Sequence, residues 1–203
     1  MKAEQDISKR EAFREAAYSV DDSVDRLAAN LRSAGNPENK AAEKKVVGKP
    51  FPEITSKSLA GRLLTLPEEV KGKVALVCVA FVRSAQSMID SWAVPFEREF
   101  GKDSRVAVYE VPMISSGWKV LSWMIDSGMR GGIPIEKHGN VVTFYGDYSG
   151  YQEALGMPDT SFAYVFLLDP GGVIRWKGQG YAGPESGKKL IETARALLEE
   201  KEF

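Results

Sequence analysis

Apolar and small residues run unbroken from Val74 to Phe81. A run of that length, rich in β-branched residues, predicts a strand buried on both faces. A short polar loop follows, and a helix is expected from about Ser84 to Phe100, with Met88, Trp92, Phe96 and Phe100 along it and Pro95 as a kink. Upstream, Phe13, Ala17, Val20, Val24, Leu27 and Leu31 recur at alternating spacings of three and four, which predicts one amphipathic helix over 1–33, ended by Gly35-Asn36-Pro37. The Lys-rich stretch 35–50 reads as a linker. Phe51 to Ile54 and Leu59 to Leu66 resemble paired extended segments, and Leu66 to Val70 a short helical turn. Downstream come a strand at Val106 to Val111, a helix at Gly117 to Met129 closed by Gly131-Gly132, a β-rich run at Val141 to Tyr145, and a short helix ending at Gly156. In that second helix Val120, Leu121, Met124 and Ile125 are expected inward, with Trp118 and Trp123 at its sides. The chain ends in a hairpin, Ala163 to Asp169 and Val173 to Gly178 around Pro170-Gly171-Gly172, and a helix from Glu185 to Lys201. Parallel strands with crossovers, then a hairpin and a final helix, predict an α/β sandwich. The domains are expected to be 1–47, helix and linker, and 48–203.

Composition narrows the function classes. The 203 residues carry 27 basic and 28 acidic side chains, a balance with no electrostatic pull toward nucleic acid or an anionic membrane. The one cysteine, Cys78, excludes an intrachain disulfide and a thiolate zinc site. Within its apolar run it reads as a small hydrophobe. The one histidine, His138, excludes any site needing two imidazoles and reads as a structural residue. No stretch approaches the ~20 apolar residues of a membrane span. The first residues lack the apolar core of a signal peptide, and their early acids are unlike a mitochondrial presequence; an imported protein would here be in its mature form or begin downstream of a leader.

In thioredoxin-like proteins a buried strand feeding a helix through a short loop carries a Cys-x-x-Cys pair. Here that spacing is Ser84-Ala85-Gln86-Ser87. Further residues narrow the resemblance: Phe51-Pro52-Glu53-Ile54, Gln86 with Trp92 and Pro95-Phe96, Ile133-Pro134-Ile135-Glu136-Lys137-His138, and the hairpin from Tyr164 through Ile174-Arg175-Trp176-Lys177-Gly178-Gln179-Gly180-Tyr181-Ala182. Over about 48–200 the chain resembles the mitochondrial ATPase complex assembly factor ten family. The resemblance implies a thioredoxin-like three-layer sandwich with an N-terminal helical extension. It also implies a peripheral protein on the matrix side of the mitochondrial inner membrane. Its role would be that of a chaperone joining ATP synthase subunit a to the ring of c subunits, with no cofactor and no established catalysis.

A serine hydroxyl cannot cycle through a disulfide, so Ser84 and Ser87 mark former redox positions. They are expected to cap the helix that follows. A Ser84–His138 hydrolase pair is the remote catalytic alternative. No proline stands at Ala163, where thioredoxin-like domains place a cis-proline. The partner-binding candidates are the stripe Phe13, Val20, Val24, Leu27 and Leu31, docking on a partner or on the domain itself, together with Arg83, Arg130 and Arg175, whose guanidinium groups suit carboxylates, and Trp176 as an interface anchor or core-edge residue. Three functions stay open: the transient assembly factor, a permanent redox-inactive accessory subunit of a large inner-membrane complex, and a thiol-independent enzyme related to peroxiredoxins.

Overall fold

The computed structural model describes residues 45–200; the stripe from Phe13 to Leu31 lies outside them. The described chain opens with an antiparallel pair, β1 (Ile54–Lys57) and β2 (Leu63–Leu66). The main sheet is built on β3 (Val74–Ala80), all seven of whose residues are buried. Parallel to it runs β4 (Val106–Ile114), from Val74 opposite Val106 to Ala80 opposite Pro112. β5 (Phe144–Tyr145) flanks β4, while β6 (Tyr164–Leu168) and β7 (Ile174–Gln179) continue antiparallel on the other side, giving the order β5-β4-β3-β6-β7.

Alternation along β3 splits the core in two. Ala75, Val77 and Val79 pack with Phe51, Ile54, Leu66, Met157 and Phe166. Leu76, Cys78 and Ala80 pack with Met88, Trp92 and Phe96 of helix α1 (Gln86–Phe100), and with Leu190 and Ala194 of a C-terminal helix, Pro184–Glu199. Each buried large aliphatic side chain contributes about 1.5–3 kcal/mol, so this strand is the main apolar anchor of the fold. The remaining helices are α2 (Ser122–Gly132) and α3 (Ser149–Leu155), so the C-terminal helix is α4. With helices or the β1–β2 pair on either side of the sheet, the described residues form the expected three-layer sandwich.

The turn chemistry follows the sequence closely. Asp169 Oδ1 accepts the amides of Gly171 at 2.9 Å and Val173 at 3.0 Å, and Gly172 takes φ 81°, which glycine alone adopts cheaply. Gly156, at φ 59°, ends α3.

Two local expectations are corrected. The helix predicted over Gly117 to Met129 is a 3-10 segment, Ser116–Leu121, followed by α2, which continues through Gly131 and Gly132. Ile133 still donates to the Met129 carbonyl; Pro134, which disfavours helical geometry in the residue before it, follows directly. Of the β-rich run only Phe144 and Tyr145 form a strand, since Val141 and Val142 make single bridges to Glu110 and Ser58. As expected, Pro95 lies inside α1, which spans Gln86–Phe100. Ile125 is half-buried, Trp118 exposed, and the side chains of Val120, Leu121, Trp123 and Met124 lie outside the described set.

Candidate functional site: the former redox corner

β3 delivers the chain into a 3-10 turn, Arg83–Ala85, and then into α1. Ser84 and Ser87 are both exposed there. Neither caps the helix: the position before α1 is Ala85, with no side-chain cap. Ser87 instead bonds outward, its Oγ 2.8 Å from the Tyr181 hydroxyl and 3.4 Å from the Ser84 carbonyl that accepts from it. One of the two former thiol positions is thus tied to the loop after β7.

The rest of the corner is closed from within. The Ala163 amide reaches Met88 Sδ at 3.5 Å, and the Ala163 carbonyl accepts from Gly180. Trp92 Nε1 donates to the Gly180 carbonyl at 2.7 Å, and Ser91 Oγ accepts the Ala182 amide at 2.9 Å. Among the described residues the cis peptide is Leu66–Pro67, not the bond before Ala163. The backbone groups of Ala163, Gly180 and Ala182 are thus paired within the domain, with α1 and with each other. His138 Nε2 lies 2.9 Å from the Ile133 carbonyl, a structural bond.

Burial drives the Cys78 thiol well above its ordinary range, reinforced by the charges of Glu110, Glu97 and Asp90. The thiol is fully enclosed in β3. It has neither exposure nor a stabilised thiolate.

The candidate contact residues separate. Arg83 is exposed; its carbonyl accepts the Gln86 amide, and its guanidinium makes no hydrogen bond or ion pair among the described residues. Arg130 Nε donates to the Leu59 carbonyl at 2.8 Å, tying α2 to the loop before β2. Arg175 pairs with Asp169 at 3.1 Å and lies 3.6 Å from Glu200; it braces the hairpin. Trp176 is only 4% exposed and packs edge-on against Trp92 at 5.2 Å, so its ring is core, not an interface anchor.

Sequence reasoning missed three residues. Tyr181 is one. Lys177 is another: it is buried, donates to the Gly156 carbonyl at 2.5 Å and lies over the Tyr164 and Phe166 rings at 5.4 and 5.9 Å. The third is Glu110, opposite Cys78 in the sheet. Gln86 Nε2 donates to Glu110 at 3.2 Å and to Asp90 at 3.1 Å, and nearby Lys137 pairs with Glu97 at 2.7 Å. The available signal for Glu110 was a lone acid inside an apolar strand.

Burial raises the Glu110 pKa, with Asp90 and Glu97 adding to the rise while Gln86 and Lys137 oppose it. The folded state therefore holds this proton more tightly than the unfolded chain. Its contribution to stability is most favourable at low pH, falls as pH rises from the ordinary carboxylate range through the raised value, and is level above it. Glu110→Gln keeps an acceptor for Gln86, so it is expected to melt higher than the wild type at pH 7. Thermal melts at stepped pH should show that gap closing toward pH 4; a lower melting temperature for the variant at pH 7 would show that the Lys137 attraction outweighs burial.

The model of the ATP10 protein family matches residues 39–197. No curated protein sequence matches the chain. Among solved structures, a thiol:disulfide interchange protein from a Bacteroides species is 20% identical, with TM-score 0.52 over 73% of this chain and 90% of that one. The thioredoxin domain of a thiol-disulfide oxidoreductase from Bacteroides vulgatus is 19% identical, with TM-score 0.50 over 73% of this chain and 97% of that one. BsSco, of the Sco family of cytochrome c oxidase assembly proteins, is 13% identical, with TM-score 0.53 over 78% of this chain and 99% of its own. At such identities the likeness shows the thioredoxin-like fold alone.

Proposed function

We propose that this chain, which belongs to the ATP10 protein family, is a non-enzymatic assembly factor for the membrane sector of F-type ATP synthase, working by protein contact at the matrix face of the mitochondrial inner membrane. The family ties it to ATP synthase assembly. The observation that carries the non-enzymatic reading is the corner itself: the spacing of a redox pair is kept while both sulfurs are absent, Ser87 is bonded to Tyr181, and the single thiol is sealed in β3. No helix among the described residues is long and apolar enough to cross a membrane, which fits a partner reached from the membrane surface. Subunit a is the partner the family resemblance favours.

The match to the family begins at residue 39, so the apolar stripe from Phe13 to Leu31 lies outside it. That favours a second reading, in which 1–47 is a docking arm and 48–203 an inert block in a permanent accessory subunit. Affinity purification of the full chain from mitochondria separates the two. Recovery with partly assembled membrane-sector intermediates alone is expected; stoichiometric recovery with the mature complex would establish the subunit reading and overturn the transient one.

A further inference from the structure

We propose that Glu110 is a proton-operated latch that fastens the first turn of α1 and the connector 137–142 to β4, and that loss of its proton loosens this junction. The latch does not depend on which partner the protein binds. Glu110 joins three segments. Its amide donates to the Asn140 carbonyl at 3.0 Å and its carbonyl accepts the Val142 amide at 2.8 Å, so its backbone holds the connector. Its side chain accepts from Gln86 Nε2 at 3.2 Å, and Gln86 is the first residue of α1. Two further bonds close the same junction. Asn140 Nδ2 donates to the Val108 carbonyl at 2.9 Å, and Lys137 crosses from the connector to Glu97 of α1 at 2.7 Å.

The junction holds more acid than it compensates. Glu110 is half-buried in an apolar strand, opposite Cys78 of β3. The charged groups that face it are Asp90 and Glu97 from α1 and Lys137 from the connector, while burial keeps the Cys78 thiol protonated. Gln86 Nε2 divides its hydrogens between Glu110 and Asp90, which it reaches at 3.1 Å. Lys137 already contacts both oxygens of Glu97, at 2.8 and 2.7 Å. A protonated Glu110 fits this setting at little cost. An ionised one is desolvated beside two other carboxylates, offset by one shared amide and one committed lysine. Where the junction opens, Glu110 meets water and ionises freely. Opening therefore becomes easier as pH rises from the ordinary carboxylate range through the raised value of Glu110, and is level above it. Gln86 lies between Ser84 and Ser87, so the loosening reaches the former redox corner.

Amide hydrogen exchange of the full chain, stepped from pH 5 to pH 8 and expressed as protection factors, reads the latch. The amides of Asp90, Glu110 and Val142 are expected to be protected about tenfold or more below that of Phe166, in the middle of β6, which marks a local opening. Their protection should fall about threefold or more across this range and stay level in Glu110→Gln, which keeps an acceptor for Gln86. Lys137→Met removes the cation that favours the ionised form, so it should move the fall to higher pH. Protection equal to that of Phe166 at every pH would overturn the latch, because the junction would then open only with the whole fold. A fall that persists in Glu110→Gln, or one that Lys137→Met moves to lower pH, would overturn it as well.

Discussion

Trp92→Ala is expected to lower the unfolding free energy by about 4 kcal/mol, in the middle of the range for emptying a buried aromatic site. Trp92 is 2% exposed and does three things at once. Its ring fills the space between β3 and α1 with Met88 and Phe96. It meets Trp176 edge-on at 5.2 Å, an arrangement worth about 0.5–1.5 kcal/mol beyond area burial. Its Nε1–H occupies the Gly180 carbonyl at 2.7 Å, and a buried acceptor left without a donor costs about 1–3 kcal/mol. These contributions overlap and do not add, because the cavity that removes the ring also admits water to the carbonyl. Trp92→Phe retains most of the packing but loses the donor, so it should cost about 1–2 kcal/mol. Equilibrium denaturation followed by far-ultraviolet circular dichroism reads both values. A loss below about 1 kcal/mol for the alanine variant, well under the usual cost of a buried aromatic, would mean that the corner is not held by this residue.

Cys78 is expected to react with a disulfide reagent such as DTNB at least ~10³-fold more slowly in native buffer than in denaturant, because reaction must wait for an opening that approaches global unfolding. The thiol is 0% exposed, and burial drives its pKa well up, with Glu110, Glu97 and Asp90 adding to the rise. Both the reagent's path and the thiolate are thereby withheld. Insulin-reduction and peroxide-consumption assays should run at the buffer rate. Fast labelling of the native protein would refute the enclosure of β3. Turnover lost in Cys78→Ser would show that this thiol works as a catalyst, whereas turnover surviving that substitution would require a chemistry other than sulfur.

In a redox thioredoxin-like protein the corner has to stay open for a second sulfur. Here Tyr181 bonds the Ser87 hydroxyl and Met88 the Ala163 amide, while Val82, Arg83 and Ser84 face solvent.

What the sequence alone determined is the set of features governed by local rules. The uninterrupted apolar run gave away β3, because a strand covered on both faces needs no polar side. The Asp-Pro-Gly-Gly turn, the glycine that ends α3 and the apolar stripe of α4 follow from backbone conformation and helical period within a few residues. Ser84 and Ser87 were legible for the same reason, as two hydroxyls at a redox spacing next to a recognisable strand. The tertiary structure decided everything that joins distant segments. Ser87 meets a tyrosine 94 residues away, and no spacing in the chain announces that contact. Glu110 reaches Gln86 only because β4 lies beside β3 under the start of α1. Trp176 shows the physical reason most directly. Alternation along β7 would place it on the same face as Ile174, yet a bulge opposite Leu167 and Leu168 inserts Arg175 and shifts the phase by one residue. Ile174 then packs on one side of the sheet and Trp176 on the other, against Trp92. Strand periodicity is local, but the register that gives it a direction is set by the partner strand, so the face on which Trp176 is buried had to come from the fold.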